Sequence, residues 1–372
     1  MNLAIKPLKI LFSALIMLFS FAQFANAQEH GLEKNEGVHQ ASQEEKEFSP
    51  SELINEHIGD SHGFHIADWN GHAISMPLPV ILWTKNGLVT FMSSKFHHDN
   101  EGEVIVASNG ENFVRIEEQI YQLNEGENEI EIDAEHSPKN AIKPLDFSIT
   151  KNVFSMMMSA IILLLLFSAV GRSYNKNKNA PKGLAGFLEP LVTFVRDDIA
   201  IPNIGEKKYA RFMPYLLTVF FFIWINNLIG LVPFFPGSSN LTGNIVFTGV
   251  LAFITFLITS FSGNKNYWSH IFAPPVPKVL YPLMIPIEII GMFTKPFALM
   301  IRLFANIAAG HIIILSLVSL IFIFKTVAIA PVSAAFVLFM SVLELLVAAL
   351  QAYVFTLLSA LFIGLAVADD HH

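Results

Sequence analysis

The sequence contains no cysteine. Disulfides, thiolate nucleophiles and cysteine-held zinc or iron–sulfur centres are therefore excluded, whatever the compartment. A GxxxxGK[ST] phosphate loop is also missing, so nucleotide chemistry is not expected of this chain. No Ser/His/Asp arrangement argues for hydrolysis. No basic-aromatic surface argues for nucleic acid. There is no internal repeat of the kind that builds secondary transporters. Charge is sparse, at 15% of residues, against 53% hydrophobic residues and a mean hydropathy of +0.50. Several apolar runs reach the length of a membrane span, so the chain reads as an integral membrane protein.

The sparse charge is unevenly placed. Positions 28–150 hold 7 basic against 23 acidic residues, a balance of −16, and the remainder holds 16 against 8, a balance of +8. An acidic polar region is joined to a basic membrane region. The expected domains are a signal peptide over 1–27, a periplasmic extension over 28–147, and a transmembrane domain over 148–372.

Lys6 and Lys9, the apolar run Ile10 to Phe24, and Ala25-Asn26-Ala27 have the form of a cleavable secretory signal. An uncleaved first anchor is the alternative, and either one exports the segment that follows. Positions 28–60 are Glu-, Gln-, Asn- and His-rich and read as a linker. Beyond them, short strands are expected at His65–Trp69, Leu78–Trp83, Leu88–Met92, Glu103–Ala107 and Phe113–Ile120. Asn70-Gly71 and Asn86-Gly87 are turn signals. The histidines here (His57, His62, His65, His72, His97, His98) match no zinc spacing and are expected at solvated positions.

Five spans are expected. They run over about Asn152–Gly171, Phe212–Val232, Thr242–Phe261, Tyr281–Phe324 and Val332–Val367. The last two exceed one bilayer thickness and should be tilted, with Pro282, Pro286 and Pro296 as kink points. The apolar stripe Leu184, Phe187, Leu188, Leu191, Val195 and Ile199 is broken by Glu189, Arg196, Asp197 and Asp198. It fits one interfacial helix. Pro274 to Pro277 is read as a non-helical connector. Lysines and arginines after the first span, before the second and around 265–278 put those ends in the cytoplasm. The polar tail Asp369–His372 follows them, and the N-terminal domain lies outside. The fold class is thus an all-α membrane protein with a small β-rich exported extension.

Within the fourth span, MIRLFANIAAGHIII (Met300–Ile314) sets an arginine, an asparagine and a histidine in an apolar run. Arginine keeps its proton and is costly in lipid, so Arg302 is a functional candidate. Glu288, Lys295 and Arg302 are seven apart and share a helix face, and Asn306 joins it. His311 lies about 13 Å further along the axis, facing another neighbour. Glu344 and Gln351 in the fifth span are also seven apart. An antiparallel register with Gln351 level with Arg302 brings Glu344 within a turn of His311. Glu288 is then left toward the inside. His311 and Glu344 are suited to exchanging protons, with Arg302 as a fixed positive barrier between two offset ion paths. A static ion-pair network, a stand-alone channel or transporter, and a membrane anchor for an exported binding domain are the alternatives.

The Arg302 stretch resembles the arginine motif of subunit a of the F-type ATP synthase: an Arg-Leu-Phe-x-Asn run, a small pair, then an ionisable residue. PPVPKVLYPLMIPIEIIGMFTKPFALM upstream and LQAYVFTLLSALFIGLA downstream are similar to the same family, as is INNLIGLVPFFPGSSNLTGNI more weakly. The resemblance covers about 150–368 and not the extension. It implies a bacterial inner-membrane stator subunit, with a rotating c-ring, peripheral-stalk b subunits and membrane lipid as partners, and no cofactor. Arg302 is implied to meet the ring carboxylates, with Gln351 and Asn306 beside it. Glu288 is implied to serve the cytoplasmic half-channel, and His311 and Glu344 the exported side. Some members carry the acid after the arginine motif and the histidine on the last helix. Here the two are exchanged.

Overall fold

The computed structural model describes residues 59–69, 72–124, 126–127, 130–131, 138–176, 183–232, 237, 239–324 and 330–368. The signal peptide, most of the linker, His57, the Asn70-Gly71 turn, Lys178, Lys182 and the polar tail fall outside them. The chain divides into two compact units. One is the N-terminal domain with the first turns of the first membrane helix and the described residues of 232–239; the other is the remaining helices.

The N-terminal unit is built of short antiparallel strands in three sheets. β1 (Gly63–Trp69) pairs with β2 (His72–Pro77). β3 (Pro79–Thr84) lies between β4 (Gly87–Met92) and β9 (Leu145–Asp146). β5 (Val106–Ser108), β6 (Glu111–Ile116), β7 (Gln119–Leu123) and β8 (Ala141–Ile142) form the third sheet in that order. Val80, Leu82, Val89, Phe91, Phe96, Val106, Phe113 and Ile120 make its core.

Several strand expectations are corrected. Phe113–Ile120 is two strands, because Glu117 and Glu118 turn the chain at φ 46° and 63°. Asn-Gly is the usual occupant of such a turn. Here Asn100 holds it, its carbonyl accepting from the Glu117 amide at 3.0 Å and its side chain from the Glu118 amide at 2.6 Å. The β3–β4 turn is Lys85-Asn86, with Gly87 at φ 119° pairing back to Thr84, one residue earlier than the Asn-Gly signal suggested. Residues 103–105 are not strand, and β2, β8 and β9 carried no clear alternation. His62 is not solvated. It is 3% exposed, with Nε2 3.1 Å from Asp146 Oδ2 and Nδ1 3.9 Å from Glu118 Oε2, and Arg115 3.7 Å from the same Glu118 oxygen. Burial alone would lower the His62 pKa. The bond to Asp146 and the Glu118 carboxylate outweigh it and raise it from 6.5 to about 9.

The helices begin with α1 (Lys151–Lys176) and α2 (Leu184–Phe194). A π-helical turn, Val195–Ala200, carries α2 into a last turn at Ile201–Ile204. The segment buries Leu188, Val195 and Ile199 of the expected stripe and exposes Asp197 and Asp198, but Leu184 and Phe187 of that stripe are exposed and Ala185 is buried instead. α3 (Tyr209–Gly230) follows, then α4 (Ile245–Ser262), whose N-cap Asn244 accepts from the Val246 and Phe247 amides. α5 (Lys265–Phe272) was not foreseen. It is short and of mixed polarity, giving no apolar run. α6 (Tyr281–Phe324) and α7 (Ala330–Val367) complete the set. The described residues contain five helices apolar and long enough to span a membrane: α1, α3, α4, α6 and α7. α6 runs helical through Pro286 and Pro296, and at 1.5 Å per residue measures about 66 Å, far beyond a hydrocarbon core.

α7 is the central packing element. Its buried face alternates small residues (Ala348, Ala352, Ser359, Ala360, Gly364) with Phe355 and Ile363, which lets other helices approach closely. A Cβ on Gly364 would collide with the Asn203 carbonyl, so only glycine fits there. The C-terminal carbonyls of α7 are satisfied from neighbouring segments. Lys208 Nζ and Asn264 Nδ2 reach the Val367 carbonyl at 2.7 and 3.0 Å, and the Asn264 amide reaches that of Ala366 at 2.9 Å.

Candidate ion-translocation site

α6 buries Leu299, Leu303 and Ile307 inside the helix pack. This turns Arg302 and Asn306 to its exposed face, among the apolar side chains of Phe297 and Ile301. Because the helix is unbroken at Pro296, the seven-residue spacing survives, and Lys295 shares the exposed face. Among the described residues Arg302 and Asn306 make no hydrogen bond or ion pair. A guanidinium halfway along an apolar helix, pointing away from its own bundle, has its charge directed at whatever lies alongside.

Glu344 and Gln351 lie on the buried face of α7. Glu344 Oε1 is 2.5 Å from His311 Nδ1, the pairing that the antiparallel register implied. Gly310 makes room for it: a Cβ there would stand 2.9 Å from the same oxygen. The carbonyls of Gly230, at the end of α3, and of Ile307 face the imidazole. One turn along α7, the Ala348 carbonyl accepts from Asn227 Nδ2 at 3.1 Å, and Asn227 Oδ1 accepts from Thr242 at 2.6 Å. The neighbouring Asn226 Oδ1 is buried without a hydrogen-bond partner among the described residues.

From the His311–Glu344 contact, antiparallel packing sets Gln351 level with Phe304, within a turn of Arg302. Gln351 is buried while Arg302 is exposed, and no hydrogen bond joins them among the described residues. The structure therefore brings together His311 and Glu344, sets Gln351 at the level of Arg302, and leaves Arg302 and Asn306 outward.

Toward the start of α6, Glu288 is half-buried with His270 Nδ1 of α5 3.9 Å away. A cleft beside it is lined by Thr255, Thr259, Tyr267, Lys295, Pro296 and Phe362, with Lys295 Nζ 5.8 Å from the Phe362 ring centroid. Behind the cleft, the Tyr215 hydroxyl is 2.6 Å from Thr255 Oγ1, which is 3.5 Å from Ser359 Oγ. The sequence reading named Glu288 and Lys295 but missed the hydroxyls of Tyr215, Thr255, Thr259 and Ser359, and His270. Lone hydroxyls in apolar helices give no spacing signal, and His270 sits on the unforeseen α5.

Two family matches divide the chain. Residues 153–364 match the family described as ATP synthase A chain, and residues 53–147 match a domain of unknown function, DUF8433. Curated relatives include the ATP synthase subunit a of Chloroherpeton thalassium, 54% identical over 244 residues, covering 64% of this chain and 72% of that protein. ATP synthase subunit a 2 of Chlorobaculum tepidum is 51% identical, with 64% and 68% covered. ATP synthase subunit a of an Anaeromyxobacter species is 48% identical, with 61% and 56% covered. The chain, a multi-pass membrane protein with a β-rich N-terminal domain, belongs to the ATP synthase subunit a family, the proton-translocating component of the membrane sector.

Proposed function

We propose that this chain is the stator of a rotary ATP synthase in a bacterial inner membrane, passing protons to and from the carboxylates of a c-ring through two offset half-channels. ATP chemistry belongs to other subunits, and peripheral-stalk b subunits hold the chain against rotation. Residues 1–27 act as a signal peptide, 28–147 form a periplasmic extension, and 148–372 form the conducting domain with its C-terminus in the cytoplasm.

In this reading the outer half-channel ends at His311 and Glu344, which pass a proton between them. The inner half-channel runs by Glu288 and the cleft lined by Thr255, Thr259 and Lys295. Arg302 lies between the two and repels a cation that would cross directly. It also draws ring carboxylates into their ionised form. Asn306 and Gln351 support the same level. The carrying observation is the exposed Arg302 on the apolar face of α6, a short way along the helix from a buried His/Glu pair. A charge that only stapled the bundle would face inward.

Arg302→Ala is expected to abolish proton-coupled ATP synthesis in membrane vesicles while the complex still assembles. Full coupled synthesis in that variant would overturn the proposal. Purification separates it from a stand-alone channel: the stator co-migrates with a ring of small hairpin subunits and with soluble ATPase subunits, a channel does not.

A further inference from the structure

In the sheet formed by β4, β3 and β9, the strands β3 and β4 carry apolar residues on both faces. One face packs Val80, Leu82, Val89 and Phe91 into the core. Such a strand ordinarily alternates with polar residues toward water, and a continuous apolar run marks a sheet covered on both sides. PVILWT and GLVTFM are such runs.

The register lays out the second face in three rows. Leu88, Trp83 and Leu145 are direct cross-strand partners. Thr90 faces Ile81, and the Phe147 amide bonds the Ile81 carbonyl at 2.8 Å. Met92 faces Pro79, and the Ile149 amide bonds the Pro79 carbonyl at 3.1 Å. Leu145, Phe147, Trp83, Leu88 and Met92 are 65, 62, 55, 53 and 42% exposed. Eight of these nine positions are apolar and the ninth is threonine, in a region with 23 carboxylates. A contiguous patch of this kind marks a site of interaction.

We propose that this face lies in the interfacial layer of the membrane leaflet from which α1 enters. The same strand that carries the face leads into the span. Ile149 still pairs with Pro79, and α1 begins at Lys151. The first turns of α1 belong to the same compact unit as the sheet. They are fixed to it by the Lys151 amide on the Ser61 carbonyl at 2.8 Å, the Asn152 amide on Asp60 at 3.0 Å, and the Phe64–Phe154 ring contact. Two to six residues separate the three rows from Lys151, a contour of at most about 20 Å, so a sheet lying on the leaflet reaches it with all three rows. Trp83 is the aromatic type that anchors at that depth, and Phe147 and Leu145 are of the kind buried on the apolar face of interfacial elements. Lys85 in the β3–β4 turn borders the row of Trp83, where it meets a phosphate headgroup. The claim needs only that α1 enters a bilayer, and is independent of the sidedness and ion path proposed above.

The absence of cysteine makes the test clean. Nitroxide labels are placed on Thr90→Cys, Met92→Cys and Leu145→Cys, with Glu103→Cys as a control in an exposed loop of the domain. The full chain is reconstituted in nanodiscs of phosphatidylethanolamine and phosphatidylglycerol. Collisions with oxygen and with a water-soluble nickel chelate are then measured. The expected result is a several-fold lower nickel-to-oxygen ratio at positions 90, 92 and 145 than at 103. A ratio equal to the control means a face in water. Loss of both collisions means a face covered by protein, whether a second copy or a segment of the chain itself. Either result overturns the proposal.

Discussion

At the scale of single residues, two histidines show how a neighbour decides what an imidazole does. His311 meets one carboxylate, Glu344, across a helix–helix contact in the membrane. In the proposed ion path the two act as one unit, so either helix can supply the acid. The double variant His311→Glu with Glu344→His is therefore expected to retain more proton-driven ATP synthesis than either single variant, measured in inverted vesicles. A double variant no better than the worse single one would show that the two residues act independently. His62, in the N-terminal domain, instead meets two carboxylates, Asp146 and Glu118, with Arg115 behind them. Its folded pKa is raised to about 9 from 6.5, so its stabilising effect is complete below pH 6.5 and fades as pH rises through 9. That shift corresponds to about 3 kcal/mol as an upper bound. Asp146 and Glu118 are both held below their ordinary values: burial opposes this, and His62, with Ser148 or Arg115, outweighs it. They weaken the same network only as pH falls through the lower carboxylate range. Thermal unfolding of the N-terminal domain, followed by Trp83 fluorescence with the other tryptophans replaced, is expected to lose stability between pH 6.5 and 9. His62→Asn is expected to be less stable at pH 6 and flat across that interval.

At the scale of elements, the last helix depends on a backbone approach that no side chain tolerates. Gly364 of α7 packs on the Asn203 carbonyl at the end of the interfacial segment. Because the obstacle is backbone, Gly364→Ala must push the two elements apart, at a cost of about 1–3 kcal/mol. The expected outcome is a lower yield of detergent-stable protein and a lower melting temperature; unchanged values would mean that the approach relaxes freely. The long apolar elements were legible in the sequence because lipid imposes one simple rule, about twenty apolar residues per crossing, and all five spans obey it. The His311–Glu344 contact was legible because the heptad spacing in two antiparallel helices leaves few registers. What was not legible lacked a periodic signal. α5 has eight residues of mixed polarity. The Glu117-Glu118 turn uses residues that rarely adopt positive φ, and its support, Asn100, is distant in sequence. The inward direction of Gln351 against the outward direction of Arg302 follows from which face of each helix finds a neighbour, and spacing along one helix is silent on that.

At the scale of the whole molecule, the chain combines a family domain that conducts ions with a second family domain of no assigned role, and the two differ in charge, fold and solvent. All the candidate ion-path residues lie between Tyr215 and Phe362, and their packing is supplied by α3 through α7. The N-terminal domain contributes none of them. It does, however, share a compact unit with the start of α1 and with Ser239, which donates to Asn152 Oδ1 at 2.7 Å inside a buried contact. Removing residues 28–147 while retaining 1–27 should therefore separate conduction from consolidation. ATP synthesis in vesicles at moderate temperature is expected to stay within about twofold of the parent, since a change of that size is under about half a kcal/mol in the limiting barrier. The heat stability of the assembled complex is expected to fall, because the deletion removes Asp60 and Ser61, whose oxygens accept from the first amides of α1. Loss of coupled synthesis with assembly intact would instead make the extension part of the ion path. Unchanged heat stability would mean that it consolidates nothing and acts only outward, toward the membrane surface or a partner.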